Sequence, residues 1–125
     1  MRKQYHFRPG PTGVKAWDVD RLVALTKALR REQVPLTAIR EIDEPYWSTG
    51  YEQSLTCRDV VEHAFLIQEA DLSFPVILSN DGRVMDGMHR VAKALLQGHS
   101  HIAAVRFAFD PEPDYVGVHP DSLPY

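Results

Sequence analysis

The sequence predicts an α+β fold, a small mixed β-sheet packed with about three helices. Three observations predict it. Apolar residues recur at helical spacing near 18–32, 57–69 and 88–97. Two short apolar runs, Val76-Ile77-Leu78 and Val84-Met85, flank Asn80-Asp81-Gly82, which is a tight hairpin signal. Residues 101–109 alternate apolar and polar side chains with the period of a strand. The 125 residues suit one domain around one core, expected at about 34–109. An N-terminal arm (1–16) and a C-terminal extension (110–125) flank it.

Taken in order, residues 1–16 hold Pro9-Gly10-Pro11 and Gly13 and read as an irregular arm. Tyr5, Phe7 and Trp17 can pin it to the body. Asp18 or Asp20 can cap a first helix that runs to about residue 32. Leu22, Leu25 and Leu29 form its apolar face, broadened by Val19 and Val23, and Pro35 stops it. Residues 36–42 read as a strand through Leu36, Ala38, Ile39 and Ile42. An acidic and aromatic loop follows, with Glu41, Asp43, Glu44, Tyr46, Trp47 and Gly50. Thr56 is a good N-cap for a second helix over 57–69, with Asp59 at its third position. Val60, Val61, Ala64, Phe65 and Ile67 are expected on its buried side.

Pro75 opens the hairpin at the first strand position, where proline is tolerated, and Gly82 supplies a positive φ in the turn. A third helix over about 88–97 uses Met88, Val91 and Leu95 on one face and ends at Gly98. Ala103, Val105, Phe107 and Phe109 line one side of a last strand. The extension carries Pro111, Pro113, Pro120 and Pro124 among Asp110, Glu112, Asp114 and Asp121, too polar for a core of its own.

Composition excludes some functions. The charged share is 25%, the hydrophobic share 44% and the formal net charge −3. A dedicated duplex-DNA binder usually carries a basic surplus, so the charge does not favour DNA. No apolar run approaches the roughly 20 residues that cross a bilayer, so no membrane role is expected. No apolar stretch follows the basic start as in a signal peptide. The single cysteine, Cys57, forms no internal disulfide and fits a cytoplasmic protein.

The stretch that carries chemistry is Asp86-Gly87-Met88-His89-Arg90. A strand that runs through a glycine straight into a helix leaves backbone N–H groups pointing outward, and the helix dipole adds to their pull on anions. The outward N–H groups, with the His89 and Arg90 side chains at the same end, are therefore a candidate phosphate site. Arg90 has a second reading, a pair with Asp86, and His89 has one as a donor to a strand carbonyl. Asp86 either holds Mg²⁺ or acts as a base beside the phosphate, or it caps the helix. Glu41, Asp43 and Glu44 are either candidate general bases or a solvated loop. Cys57 reads as structural, and His99 with His101 as a loop pair lacking a third metal ligand.

Pro75-Val76-Ile77-Leu78, Asp81-Gly82-Arg83 and Asp86-Gly87-Met88-His89-Arg90 with Ala92 resemble the ParB/sulfiredoxin superfamily signature. The resemblance spans about 34–109 and implies a ParB/sulfiredoxin-like fold. It implies nucleotide phosphates, of ATP, ADP or CTP, held by Gly87, Met88, His89 and Arg90, with Mg²⁺. Sulfiredoxins carry a cysteine where this chain has Met88, and a thioether forms no thiolate, so that repair chemistry is not expected. A full chromosome-partition clamp is not expected in so short a chain. The Asp-Gly-x-His-Arg form is closer to stand-alone ParB-like domains, which include annotated nucleases and kinases of free serine. Those kinases use an acid from the loop after the first strand, which corresponds to Glu41, Asp43 or Glu44.

Three functions follow as expectations. One is a nucleotide-dependent phosphotransferase or nucleotide hydrolase acting on a small-molecule acceptor. Another is a DNA-associated ParB-like module with nuclease activity. The third is a non-catalytic domain that senses a nucleotide and engages a partner, or a second copy, through its terminal arms.

Overall fold

The computed structural model describes residues 3–48 and 55–125. Its larger sheet has four strands in the order β3 (Glu32–Pro35), β6 (His101–Arg106), β4 (Val76–Leu78), β5 (Val84–Asp86). β6 runs antiparallel to β3 and parallel to β4, so the sheet is mixed. β4 and β5 form the expected hairpin, and Gly82 takes φ 85° in its turn. The helices are α1 (Val19–Thr26), α2 (Cys57–Glu69) and α3 (Met88–Leu96). A second sheet has the order β1 (Tyr5–Arg8), β2 (Lys15–Asp18), β7 (Tyr115–Val116).

The larger sheet is covered on both faces, which is why its central strands are apolar without interruption. Side chains alternate across it. Val76, Leu78, Val84, Ile102 and Ala104 join Met88, Val91 and Ala94 of α3 on one face. Ile77, Met85, Val105 and Phe107 meet Trp17 and Leu22 on the other. Among the described residues no helix is long and apolar enough to cross a membrane.

Several expected elements change. The N-terminal arm is ordered: β1 pairs with β2 from Tyr5↔Asp18 to Arg8↔Lys15. The Pro-Gly-Pro and Gly13 chemistry belongs to the connection of these two strands. The C-terminal extension is also bound. β7 adds to β2, Trp17 Nε1 donates to the Pro111 carbonyl at 2.8 Å, and Leu123 is buried. Asp18 caps α1 as expected, but α1 ends at Thr26 and not near residue 32. Thr26 Oγ1 donates back to the Leu22 and Val23 carbonyls, and residues 32–35 are drawn into β3 by pairing with β6. Pro35 closes an edge strand, where its missing N–H costs little.

Residues 36–42 are not a strand. They form 3₁₀ turns at Leu36–Ala38 and Arg40–Asp43. The deciding spacing is three: Leu36, Ile39 and Ile42 share the core side. In α3, Met88 and Val91 are buried as expected and Ala94 packs closely beside them, but Leu95 is 50% exposed. β6 ends at Arg106 and is not the last strand, and Phe109 lies 90% exposed. The largest departure is α2. Its capping box is present as expected, yet none of its residues is buried.

Phe107 and Phe109 separate burial from alternation. Phe107→Ala should cost roughly 3–5 kcal/mol, while Phe109→Ala should stay within about 0.5 kcal/mol. Urea unfolding of the two variants measures both.

Candidate functional site

The hairpin delivers the chain into α3 through Gly87, which has φ 105° in the left-handed region. Gly87 is the N-cap and offers no side-chain bond. The N–H groups of Met88 and His89, first in the helix, have no intrahelical acceptor. A Cβ at Gly87 would lie 2.8 Å from Val76 Cγ1 and 2.9 Å from Arg90 Nη2, so glycine is required twice over. Arg90 lies across this glycine. Its Nη2 donates to Asp86 Oδ2 at 2.8 Å and its Nη1 to the Pro75 carbonyl at 3.2 Å. Asp86 is therefore Arg90's partner, and the capping reading of Asp86 is replaced by this ion pair. Met88 buries its side chain in the core, leaving only its N–H to the site.

His89 sits in an aromatic cluster. Its Nε2 shares a 2.9 Å hydrogen bond with His63 Nδ1 of α2. Both imidazoles stack on the Trp47 indole, at centroid distances of 5.0 Å and 4.4 Å. A partner on α2, and not a strand carbonyl, orients His89. Burial, and then the neighbouring His63, hold the His89 pKa below its usual value.

The acidic loop divides into distinct roles. Glu41 is buried, 6% exposed. Its Oε2 accepts the Val84 N–H at 2.7 Å, on the free edge of β5. Its Oε1 has no hydrogen-bond partner among the described residues, and Arg83 Nη1 stands 3.9 Å away. Glu44 takes the Arg83 guanidinium directly at 2.6 Å. Asp43 is exposed and joins neither. Glu41 and Glu44 thus converge on Arg83, and Asp43 does not.

A cleft of about 560 Å³ opens beside Glu41. Glu44, Tyr46 and Arg83 wall it on one side, and His6 and Arg8 of β1 on the other. Arg8 donates from Nε to His6 Nε2 and from Nη2 to Ser79 Oγ, both at 2.9 Å. Burial, and then the Arg8 charge, push the His6 pKa down to about 3. Burial, and then the charges of Glu41 and Asp86, push the Tyr46 phenol up to about 12.

Among the described residues no group of three His, Cys, Asp or Glu side chains is placed to hold a metal ion. Asp86 is a single carboxylate already paired with Arg90. That suffices only for an ion such as Mg²⁺, which keeps water and takes ligands from phosphates.

Comparison with protein-family models, with curated proteins and with solved structures found no match.

The sequence pointed to Gly87, His89, Arg90 and the acidic loop. It did not point to His6, Arg8 or His63, which reach the site only through β1 pairing and the placement of α2. No local motif marks them. His63 did sit seven residues past the Thr56 cap, on the side of α2 that turns out to face inward.

His6 accepts from Arg8 and is neutral when folded. An unfolded histidine titrates near 6.5. As pH falls below about 6.5 the unfolded chain binds protons that the native state refuses, so stability drops. His89 adds in the same direction. His6 contributes a slope approaching about 1.4 kcal/mol per pH unit. Urea midpoints between pH 7 and pH 4.5 should fall, and His6→Gln should flatten the fall.

Proposed function

We propose that this chain is a ParB-like nucleotide-phosphate-binding domain with the fold of the ParB/sulfiredoxin superfamily. It transfers a phosphoryl group to a small-molecule acceptor or hydrolyses the nucleotide. The observation that carries the reading is the β5–Gly87–α3 junction. It combines a left-handed glycine, an uncapped helix start and an arginine laid across it. Such a junction favours a phosphate on the Met88 and His89 N–H groups, with Arg90 turning from Asp86 to meet the anion.

A bound nucleotide would supply the phosphoryl group, and Mg²⁺ would offset its phosphate charge, with Asp86 the residue that would hold the ion. Glu41 supports transfer over binding alone. A buried carboxylate oxygen with no partner is costly unless a ligand donates to it. The acceptor hydroxyl lies in the cleft beside Glu41 and hydrogen-bonds Oε1. Glu41 takes the hydroxyl proton as the acceptor oxygen bonds to phosphorus and the nucleoside diphosphate leaves. His89, held by His63 and Trp47, stays neutral and donates to the transferred group.

Thermal shift with ATP, ADP and CTP plus Mg²⁺ tests binding. A nucleotide at 100 times its Kd should add about 2.7 kcal/mol of stability. Glu41→Gln should keep that shift, because an amide oxygen still accepts the Val84 N–H, yet lose phosphate release or transfer by about 100-fold. No shift with any nucleotide, in folded protein, sinks the reading. A shift without turnover leaves a nucleotide sensor. Metal-dependent DNA nicking without a shift favours the DNA-associated module.

A further inference from the structure

Helix α2 wears its apolar residues on the outside. Val61 is 62% exposed, Phe65 59% and Val60 54%. The sequence has the pattern of a core-facing helix, yet only Asp59, His63 and Ile67 turn toward the body. α2 is held by the His63–His89 bond and by Lys93 Nζ, which donates to the Gln68 and Ala70 carbonyls at 2.9 and 2.7 Å. Beside it, Ala64, Ile67 and Gln68 form a groove of about 470 Å³ with Lys93, Leu96 and Gln97 of α3. Leu96 is 79% exposed at its rim. An apolar stripe flanked by such a groove marks a contact surface.

We infer that α2 and its groove form a twofold interface with a second copy of this chain. The charges on the stripe select that occupant. Arg58 stands at one end of the exposed face, Val61, Glu62 and Phe65 in the middle, and Glu69 at the other end. An antiparallel crossing centred between Val61 and Leu66 sets Arg58 of each copy against Glu69 of the other. It also sets Val61 of each copy against Leu66 of the other. A twofold interface must be self-complementary, and this stripe is: Arg58 and Glu69 stand at its opposite ends with Val61, Phe65 and Leu66 between them, and Glu62 lies one turn from Arg58 of its own helix. Projection and recess also occur on one surface. Phe65 projects from α2, and the adjoining α2–α3 groove is open to receive the same residue from the second copy. A parallel crossing would oppose Arg58 to Arg58 and Glu69 to Glu69, which is repulsive. The terminal arms pair within the chain as β1, β2 and β7.

Sedimentation equilibrium of the full chain should give about twice the 14.2 kDa chain mass. Phe65→Glu should be monomeric with an unchanged circular dichroism spectrum, since this side chain supports no core. Arg58→Glu and Glu69→Arg each suit the helix dipole, so neither should unfold α2. Each should weaken the dimer about tenfold or more, and the double variant should recover most of that loss. A wild-type monomer at high micromolar concentration overturns the inference. So does a dimer that survives Phe65→Glu, or single charge reversals that the double variant fails to rescue.

Discussion

The positive φ at Gly87 is the constraint on which the rest of the site depends. Only a residue without Cβ lets β5 turn into α3 while Val76 and Arg90 close over the turn. That turn points the first helical N–H groups away from the sheet and puts Met88, Val91 and Ala94 onto its core face. It also sets Arg90 one turn beyond Asp86, so the pair forms across the junction. His89 is sent to the opposite flank, where α2 and Trp47 receive it. One backbone angle thus places an anion-attracting helix end, a guanidinium and an oriented imidazole together.

A second constraint acts at the free edge of β5. An open edge strand presents unpaired N–H groups, and Glu41 covers one of them by accepting from Val84. A carboxylate used this way fills only one oxygen. The other is left inside the protein beside a cleft, near a guanidinium already drawn off by Glu44. The same edge protection therefore creates an unmet acceptor. An interior oxygen in that condition is poised for a ligand donor, because the cost of its burial has been met by folding.

The sequence made some of this legible and hid the rest for physical reasons. Local chemistry was readable. The Asn80-Asp81-Gly82 turn, the Thr56–Asp59 capping box, Gly87 before a helix and Gly98 after it are each decided within four residues. Segments decided by distant partners were not. Residues 32–35 carry helix-compatible Glu and Gln, but pairing with β6 makes them a strand. Leu36, Ile39 and Ile42 suit a strand by composition and a 3₁₀ turn by spacing, and the core chose the spacing. The N-terminal arm read as irregular and the C-terminal extension as an arm without a core of its own, yet β1 and β7 pair through β2. In the site, Arg90 and Glu41 were visible by residue type. His63, which holds His89, and the cleft residues His6 and Arg8 were not, because nothing near them in sequence reveals which element lies across.

Helix α2 shows why amphipathic pattern alone does not locate a core. Val61 and Phe65 stand at helical spacing, and that periodicity fixes which residues share a stripe but not what the stripe faces. The inward side carries His63, whose hydrogen bond to His89 requires at least one lone pair at the shared edge. A helix attached through imidazole and lysine contacts, with its apolar stripe turned out, is anchored by polar geometry and not by burial. Polar anchors fix orientation well and contribute little net stability. The apolar stripe is then free of any structural duty in the single chain. Its surface cost is offset only by a partner that removes it from water.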